Sequence, residues 1–414
     1  MSILLKAKRK FFSIKLNLSK FGLKAYCNYV FKRLKAIVSG EQKQLNGKAD
    51  VVSHYSFILY EPFGDKRRIS SLKDKRTINW IIPDFSIGSG GHINIFRFID
   101  GLEKRKYKCS ITITEPCQFL EASVAKERIN QNFRQLQAEV FIGKENIPAA
   151  WVTFATSWTT AYIVRNFQAT EHKCYFVQDF EPFFYAKSSE YYWAEETYKF
   201  GFYGITAGKW LAQKLAKDYD MKTNYVGFSY DKNLYTPKLR KAYNETRKIF
   251  FYARPVTPRR GFELGLLVLT EVSKRFPDVE FILAGWDTAS YYIPFKHTSL
   301  GVVALKELPD VYSRCYAALV LSFTNLSLLP LELMACKCPV VSNSGSNVSW
   351  LLNEQNCLLA EPTVESLSAA LCLILENEDK REQIANAGLN FASNTSWDAE
   401  CERFSAILDR ITNN

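Results

Sequence analysis

The sequence predicts an α/β protein of two doubly wound domains that face each other across a cleft, preceded by a basic helical extension. Three observations carry this. The chain has 414 residues and 47% apolar content, enough for two ordinary cores. Short apolar runs alternate with amphipathic segments from about residue 77 onward. The alternation breaks down near residues 225–237 and then starts afresh, which divides it into two series.

The extension is residues 1–48. Ten Lys or Arg precede the first acid, Glu41, and Lys8, Arg9, Lys10, Lys32 and Arg33 alternate with aromatic and aliphatic residues at near-helical spacing. Such a segment either meets an anionic membrane face or an acidic acceptor, or packs on the domain behind it. It carries most of the +12 net charge. No zinc finger, RNA-binding sheet signature or glycine-arginine repeat accompanies that charge, so nucleic acid is not an expected partner.

The first domain is read as 49–228. A buried strand, Thr77–Pro83, runs into a glycine turn, Ser86–Gly91, then an amphipathic helix from His92 and a second strand, Cys109–Thr114. Gly90 and Gly91 let backbone approach an anion at a helix N-terminus. The spacing is not G-x-G-x-x-G and lacks the Lys-Ser/Thr of a P-loop, which argues against a dehydrogenase or an NTPase. A plain strand-to-helix turn is the alternative. Strands Val140–Ile142, Trp151–Thr156, Lys173–Gln178 and Gly204–Thr206 follow, then the helix Lys209–Tyr219.

The second domain is read as 229–390. Strand Ile249–Ala253, helix Phe262–Phe276 and strand Val279–Ala284 open it. Helix Leu308–Ala317, strand Ala318–Leu321, helix Leu331–Ala335 and strand Pro339–Ser342 complete it. Residues 391–414 read as a helix returning to the first domain. Right-handed crossovers then place the strand carboxyl ends of two Rossmann-like sheets along the cleft, where ligands bind in such folds.

No run of about twenty apolar residues occurs, and the start lacks the apolar core and cleavage site of a secretion signal. The expected location is cytoplasmic, with peripheral contact on the inner face of the plasma membrane. The ten cysteines are scattered, and Cys336 and Cys338 have no partner pair or nearby His, so reduced core thiols are expected and zinc is not.

Three places carry chemistry. Arg254, Arg259 and Arg260 end a strand beside a helix start, a pattern suited to a diphosphate, since the guanidinium fork bonds two phosphate oxygens at once; a solvated basic turn is the alternative. Glu332 sits in an otherwise apolar helix, where a carboxylate needs a fixed partner or a ligand's hydroxyls. Asp179 and Glu181, past a strand end, and Asp84, after the first strand, are candidates to orient or deprotonate an acceptor hydroxyl. Asp179 is preferred, beside a capping or pairing role.

The run LSLLPLELMACKCPVV resembles the donor-site signature of retaining glycosyltransferases of the GT-B fold, E-G-F-G-L-x-P-L-E-A-M-A-C-G-x-P-V-V. The resemblance implies that Glu332 binds the nucleotide ribose while the loop Asn325, Leu326, Ser327 and Leu328 holds the diphosphate and donor sugar through its backbone. FYARPVTPRRGFELG resembles the segment that supplies diphosphate cations, here Arg254 and Arg260. GVVALKELPDVYSRCYAALVLS is similar to the segment that lies against the base through Leu305 and Lys306. PDFSIGSGGHINIF resembles the first-domain glycine loop, and CYFVQDFEPFFY with WAEETYKFGFYGIT resembles bacterial rhamnosyltransferases of the WsaF type.

The chain departs from the signature in informative ways. The first glutamate falls on Thr324, the loop glycines fall on Asn325 and Ser327, and Gln178 stands where many relatives carry a His that approaches the donor's sixth carbon. Both losses suit a 6-deoxy sugar. The implied function is metal-independent, retaining transfer of L-rhamnose from dTDP-L-rhamnose to a lipid-linked or polymeric surface glycan, such as an S-layer glycan. Asp179, Arg254 and Glu332 are the candidate catalytic residues. An inactive nucleotide-sugar-binding scaffold and a GT-B epimerase or phosphorylase are the alternatives.

Overall fold

The computed structural model describes residues 49–413 apart from 71, 73, 115–116, 120 and 239–246. The expectations for residues 1–48, with Lys8, Arg9, Lys10, Lys32 and Arg33, lie outside the described residues. Residues 49–59 belong to a separate unit, in which Asp50 caps a single turn, Val51–His54.

From Tyr60 onward the chain builds two parallel sheets. The first holds β1 (Thr77–Ile82), β2 (Lys108–Ile113), β3 (Glu139–Ile142), β4 (Ala150–Ala155), β5 (Thr170–Val177), β6 (Tyr203–Ala207) and β7 (Thr223–Val226). Their order is β3-β2-β1-β4-β5-β6-β7. The second holds β8 (Lys248–Tyr252), β9 (Glu280–Ala284), β10 (His297–Gly301), β11 (Ala317–Val320), β12 (Val340–Asn343) and β13 (Leu358–Ala360). Their order is β10-β9-β8-β11-β12-β13. Strand order reverses between β1 and β4 and between β8 and β11, and such switch points open crevices at the carboxyl ends.

The central strands read as continuous apolar runs because helices cover both faces of a parallel sheet. TINWII is buried from Ile78 to Ile82. Trp80 stacks on Phe154 with centroids 4.7 Å apart. The helix Gly90–Lys104 lays Ile95, Phe96, Phe98, Ile99 and Leu102 on this core. The last helix, Trp397–Asn413, leaves the second domain and packs there too. Its Phe404 lies 5.0 Å from Phe98, 5.6 Å from Phe154 and 5.8 Å from Trp80, centroid to centroid. Gly101 permits this approach, because a Cβ there would collide with Cys401 Sγ.

Strands β7, β10 and β13 are absent from the expectation above, and each lies at a sheet edge. They are three to five residues long and their side chains are mostly exposed or half-buried, so they lack the long apolar run that marks a covered strand. The nine described cysteines are free, with Cys336 and Cys338 buried. Among the described residues no helix is long and apolar enough to cross a membrane.

Candidate active site

Past β11 the chain enters the loop Leu321–Leu328 and then the short helix Leu329–Ala335, with Pro330 in its first turn, where a missing N–H costs nothing. This loop meets the end of β5 in the first domain. The Asn325 side-chain amide donates to the carbonyls of Gln178, at 2.9 Å, and Ala207, at 2.7 Å. Its Oδ1 accepts from the Trp350 indole at 2.8 Å. Its N–H donates to Asp179 Oδ1 at 2.8 Å, and Thr324 Oγ1 donates to Asp179 Oδ2 at 3.0 Å.

Asp179 also accepts from the Phe180 N–H at 2.9 Å and pairs with Arg259 Nε at 3.4 Å. Both of its oxygens are therefore engaged, and the carboxylate fastens one domain to the other; the structure gives it the pairing role rather than that of an open general base. Asn325 is likewise committed through its side chain. The Gln178 side chain is committed within the first domain, donating to the Gly91 carbonyl and accepting from Asn94, each at 3.1 Å. A Cβ on Gly91 would come within 3.3 Å of the Gln178 amide nitrogen. The two alternative bases accept hydrogen bonds from backbone N–H groups. Glu181 accepts from the Trp158 N–H at 2.9 Å and the Tyr175 hydroxyl at 2.6 Å. Asp84 accepts from the Gln118 N–H at 2.9 Å.

The three arginines separate in role. Arg260 ends a 3-10 turn closed by Gly261 at φ 60°, a left-handed conformation that glycine adopts without strain. Its Nη1 donates to Ser322 Oγ at 2.7 Å and the Asn325 carbonyl at 3.1 Å, so it braces the loop from within; burial lowers its pKa. Arg259 lies 3.9 Å over the Phe184 ring. Arg254 donates to the Tyr252 hydroxyl at 3.1 Å, and its buried Nε has no hydrogen-bond partner. Lys306 is exposed on the turn Leu305–Glu307.

Glu332 opens onto a cavity of about 100 Å³ lined by both domains, including Ile93, Arg97, Phe133, Tyr235 and Leu305. Protein surrounds the carboxyl group, and that desolvation pushes its pKa up to about 7 against the opposing pull of Tyr235 and Arg97. The cavity thus brings Glu332 and Leu305 together. Leu326 and Leu328 are core side chains, leaving only their backbone for a ligand, and the Ser327 hydroxyl accepts from the Leu329 N–H at 3.4 Å.

Two family descriptions match the chain: "WsaF, N-terminal domain" over residues 106–207 and "WsaF, C-terminal domain" over residues 247–372. Together they cover more than half of it. The chain belongs to the WsaF family. The O-antigen biosynthesis protein RfbC of Myxococcus xanthus is 32% identical over 337 residues, which are 79% of this chain and 26% of that protein. The chain thus spans about a quarter of its curated relative. Anabaena Alr3699/HepE, solved with UDP and glucose, superposes with a TM-score of 0.62 at 15% identity over 81% of this chain and 99% of that one. Sucrose-phosphate synthase from Thermosynechococcus elongatus gives 0.62 at 12% identity over 81% and 98%. At such identities the likeness establishes the fold, which is GT-B.

In this WsaF-family chain, sequence reasoning missed Arg97, Tyr235, Trp350 and Asn347. Arg97 lies on an amphipathic helix, where a cation reads as solvated. Tyr235 lies in the irregular crossing segment. Asn347 donates to the Ser322 and Thr324 carbonyls at 2.8 and 2.6 Å, a contact with no sequence signal. Among the described residues no cluster of three His, Cys, Asp or Glu has metal-binding geometry.

Proposed function

We propose that the chain is a retaining glycosyltransferase that moves L-rhamnose from dTDP-L-rhamnose onto a growing cell-surface polysaccharide without a metal ion. The observation that carries the reading is the Leu321–Ala335 loop and helix, which presents Glu332 to a cavity lined by residues of both domains. The O-antigen biosynthesis for which RfbC is named and the UDP and glucose in HepE support a nucleotide-sugar donor and a glycan product. The residues that set this chain apart from its signature, Gln178 and Thr324, support a 6-deoxy sugar.

In this mechanism the bond between the sugar's anomeric carbon and the diphosphate breaks first, giving a short-lived oxocarbenium ion paired with the nucleotide. Arg254 meets the growing phosphate charge, with the loop backbone N–H groups, and Arg260 holds the loop in shape. Positioned donors of this kind are worth about 3 kcal/mol each. The acceptor hydroxyl attacks from the face the nucleotide leaves, and its proton passes to the departing phosphate oxygen. Asp179, already bonded on both oxygens, keeps the two domains in register.

A lipid-linked or polymeric acceptor and an anionic membrane face are the partners proposed for residues 1–48. The test incubates full-length protein with dTDP-L-rhamnose and other nucleotide sugars, with and without acceptor glycan, and identifies products by mass. Sugar transferred to the acceptor with retained configuration supports the reading. Donor binding without product means a scaffold, and donor conversion without acceptor means an epimerase. Glu332→Ala should weaken nucleoside diphosphate binding by about 1 kcal/mol or more, the worth of a hydrogen bond to a charged group. Unchanged calorimetric affinity removes Glu332 from the site.

A further inference from the structure

We propose that Arg97 of the first domain and Tyr235 of the crossing segment close the Glu332 cavity around hydroxyl groups of a sugar ring, so that both domains hold the donor at once. This rests on the nucleotide-sugar reading and adds to it a contact from the first domain.

Three elements bring three polar side chains to one cavity. Arg97 comes from the helix Gly90–Lys104, Glu332 from the helix Leu329–Ala335, and Tyr235 from the segment that joins the sheets. The Tyr235 hydroxyl stands against the Glu332 carboxyl group, while Arg97 Nη1 is buried and makes no hydrogen bond. Such an open donor is scarce in folded proteins unless something fills the space before it. Arg97 is nonetheless fixed in place: its Nη2 lies 3.4 Å from Asp231 and its guanidinium 4.9 Å over the Trp397 ring. A side chain held by neighbours while one donor stays open is preorganised for a ligand.

The charges say what kind of ligand. Glu332 and Asp231 face the cavity together with Arg97 and Arg134. An anion would meet two carboxylates, and a cation two guanidinium groups. A neutral hydroxyl donates to Glu332 and accepts from Arg97, while the Tyr235 hydroxyl does either. A volume of about 100 Å³ admits one edge of a sugar ring and is below the several hundred of a whole small-molecule pocket. That edge belongs either to the pentose of the nucleotide or to the transferred sugar.

The test measures calorimetric affinities of dTDP, its 3′-deoxy analogue and dTDP-L-rhamnose for the wild type, Tyr235→Phe, Arg97→Met and Glu332→Gln. Tyr235→Phe removes one oxygen and leaves the packing intact, so a folding defect in Arg97→Met does not decide the matter. Roughly tenfold loss of dTDP affinity in the variants, absent with the 3′-deoxy analogue, places the pentose in the cavity. Unchanged dTDP affinity with a tenfold loss for dTDP-L-rhamnose places the transferred sugar there. Either outcome supports the proposal. Wild-type affinities in both Tyr235→Phe and Arg97→Met, with binding lost in Glu332→Gln, overturn it and leave the nucleotide-sugar reading standing. No binding of these nucleotides by the wild type overturns both.

Discussion

Replacing Asn325 tests whether the two domains are fastened where the structure joins them. Asn325→Ala removes three side-chain hydrogen bonds, to the Gln178 and Ala207 carbonyls and the Trp350 indole. At about 1 kcal/mol each the loss is about 3 kcal/mol. Asn325→Asp should be worse, because a carboxylate would face two carbonyl oxygens beside the existing charge of Asp179. Urea unfolding followed by tryptophan fluorescence reads both variants, and Asn325→Ala should also separate the transition into two as the domains lose their shared joint. An aspartate variant as stable as the alanine variant, or an alanine variant with the wild-type midpoint, would refute the reasoning.

Burial pushes the Glu181 and Glu332 carboxyl groups up to about 7 from 4.5. A raised folded-state pKa adds stability that is full below the unfolded value and fades as pH rises through the folded one. Unfolding free energy should therefore decline between about pH 4.5 and 7, by up to about 3 kcal/mol per group at 1.4 kcal/mol per unit, and Glu181→Gln should flatten part of that slope in urea titrations at pH 5 and 8. Gly101→Ala should cost about 1–3 kcal/mol, as overpacking does, by driving the last helix off the first domain; a melting curve checks it. On the proposed mechanism transfer should persist in excess EDTA, since Arg254 and the loop N–H groups would take the role of a divalent ion; rescue of an EDTA-inactivated protein by magnesium would contradict this.

Legibility in the sequence followed coverage. Strands buried on both faces, such as Thr77–Ile82 and Lys248–Tyr252, announce themselves as apolar runs, and the glycine turns punctuate them. The edge strands β7, β10 and β13 are short and mostly exposed or half-buried, which leaves too little signal to read. At the candidate site, Glu332 was legible because a carboxylate among Leu331, Leu333 and Met334 conflicts with its neighbours. Asp179 stands out past a strand end, with a pairing role open beside the catalytic one, and Asn325 and Gln178 stand out through the family resemblance, but their partners lie far away in the chain. Asp179 meets Asn325 across 146 positions, and spacing along a sequence says nothing about such a pair.

The return of the last helix has a consequence for how the protein is made. Phe404 completes a cluster whose other members, Trp80, Phe98 and Phe154, leave the ribosome some 250 to 320 residues earlier. During synthesis the first domain must wait with that surface bare while the whole second domain emerges and folds. Domains commonly fold in order of their appearance; here the earlier one finishes last. A stop codon or protease cut just before Trp397 should leave the second sheet folded and strip the first of its cover, producing aggregation rather than a merely inactive protein.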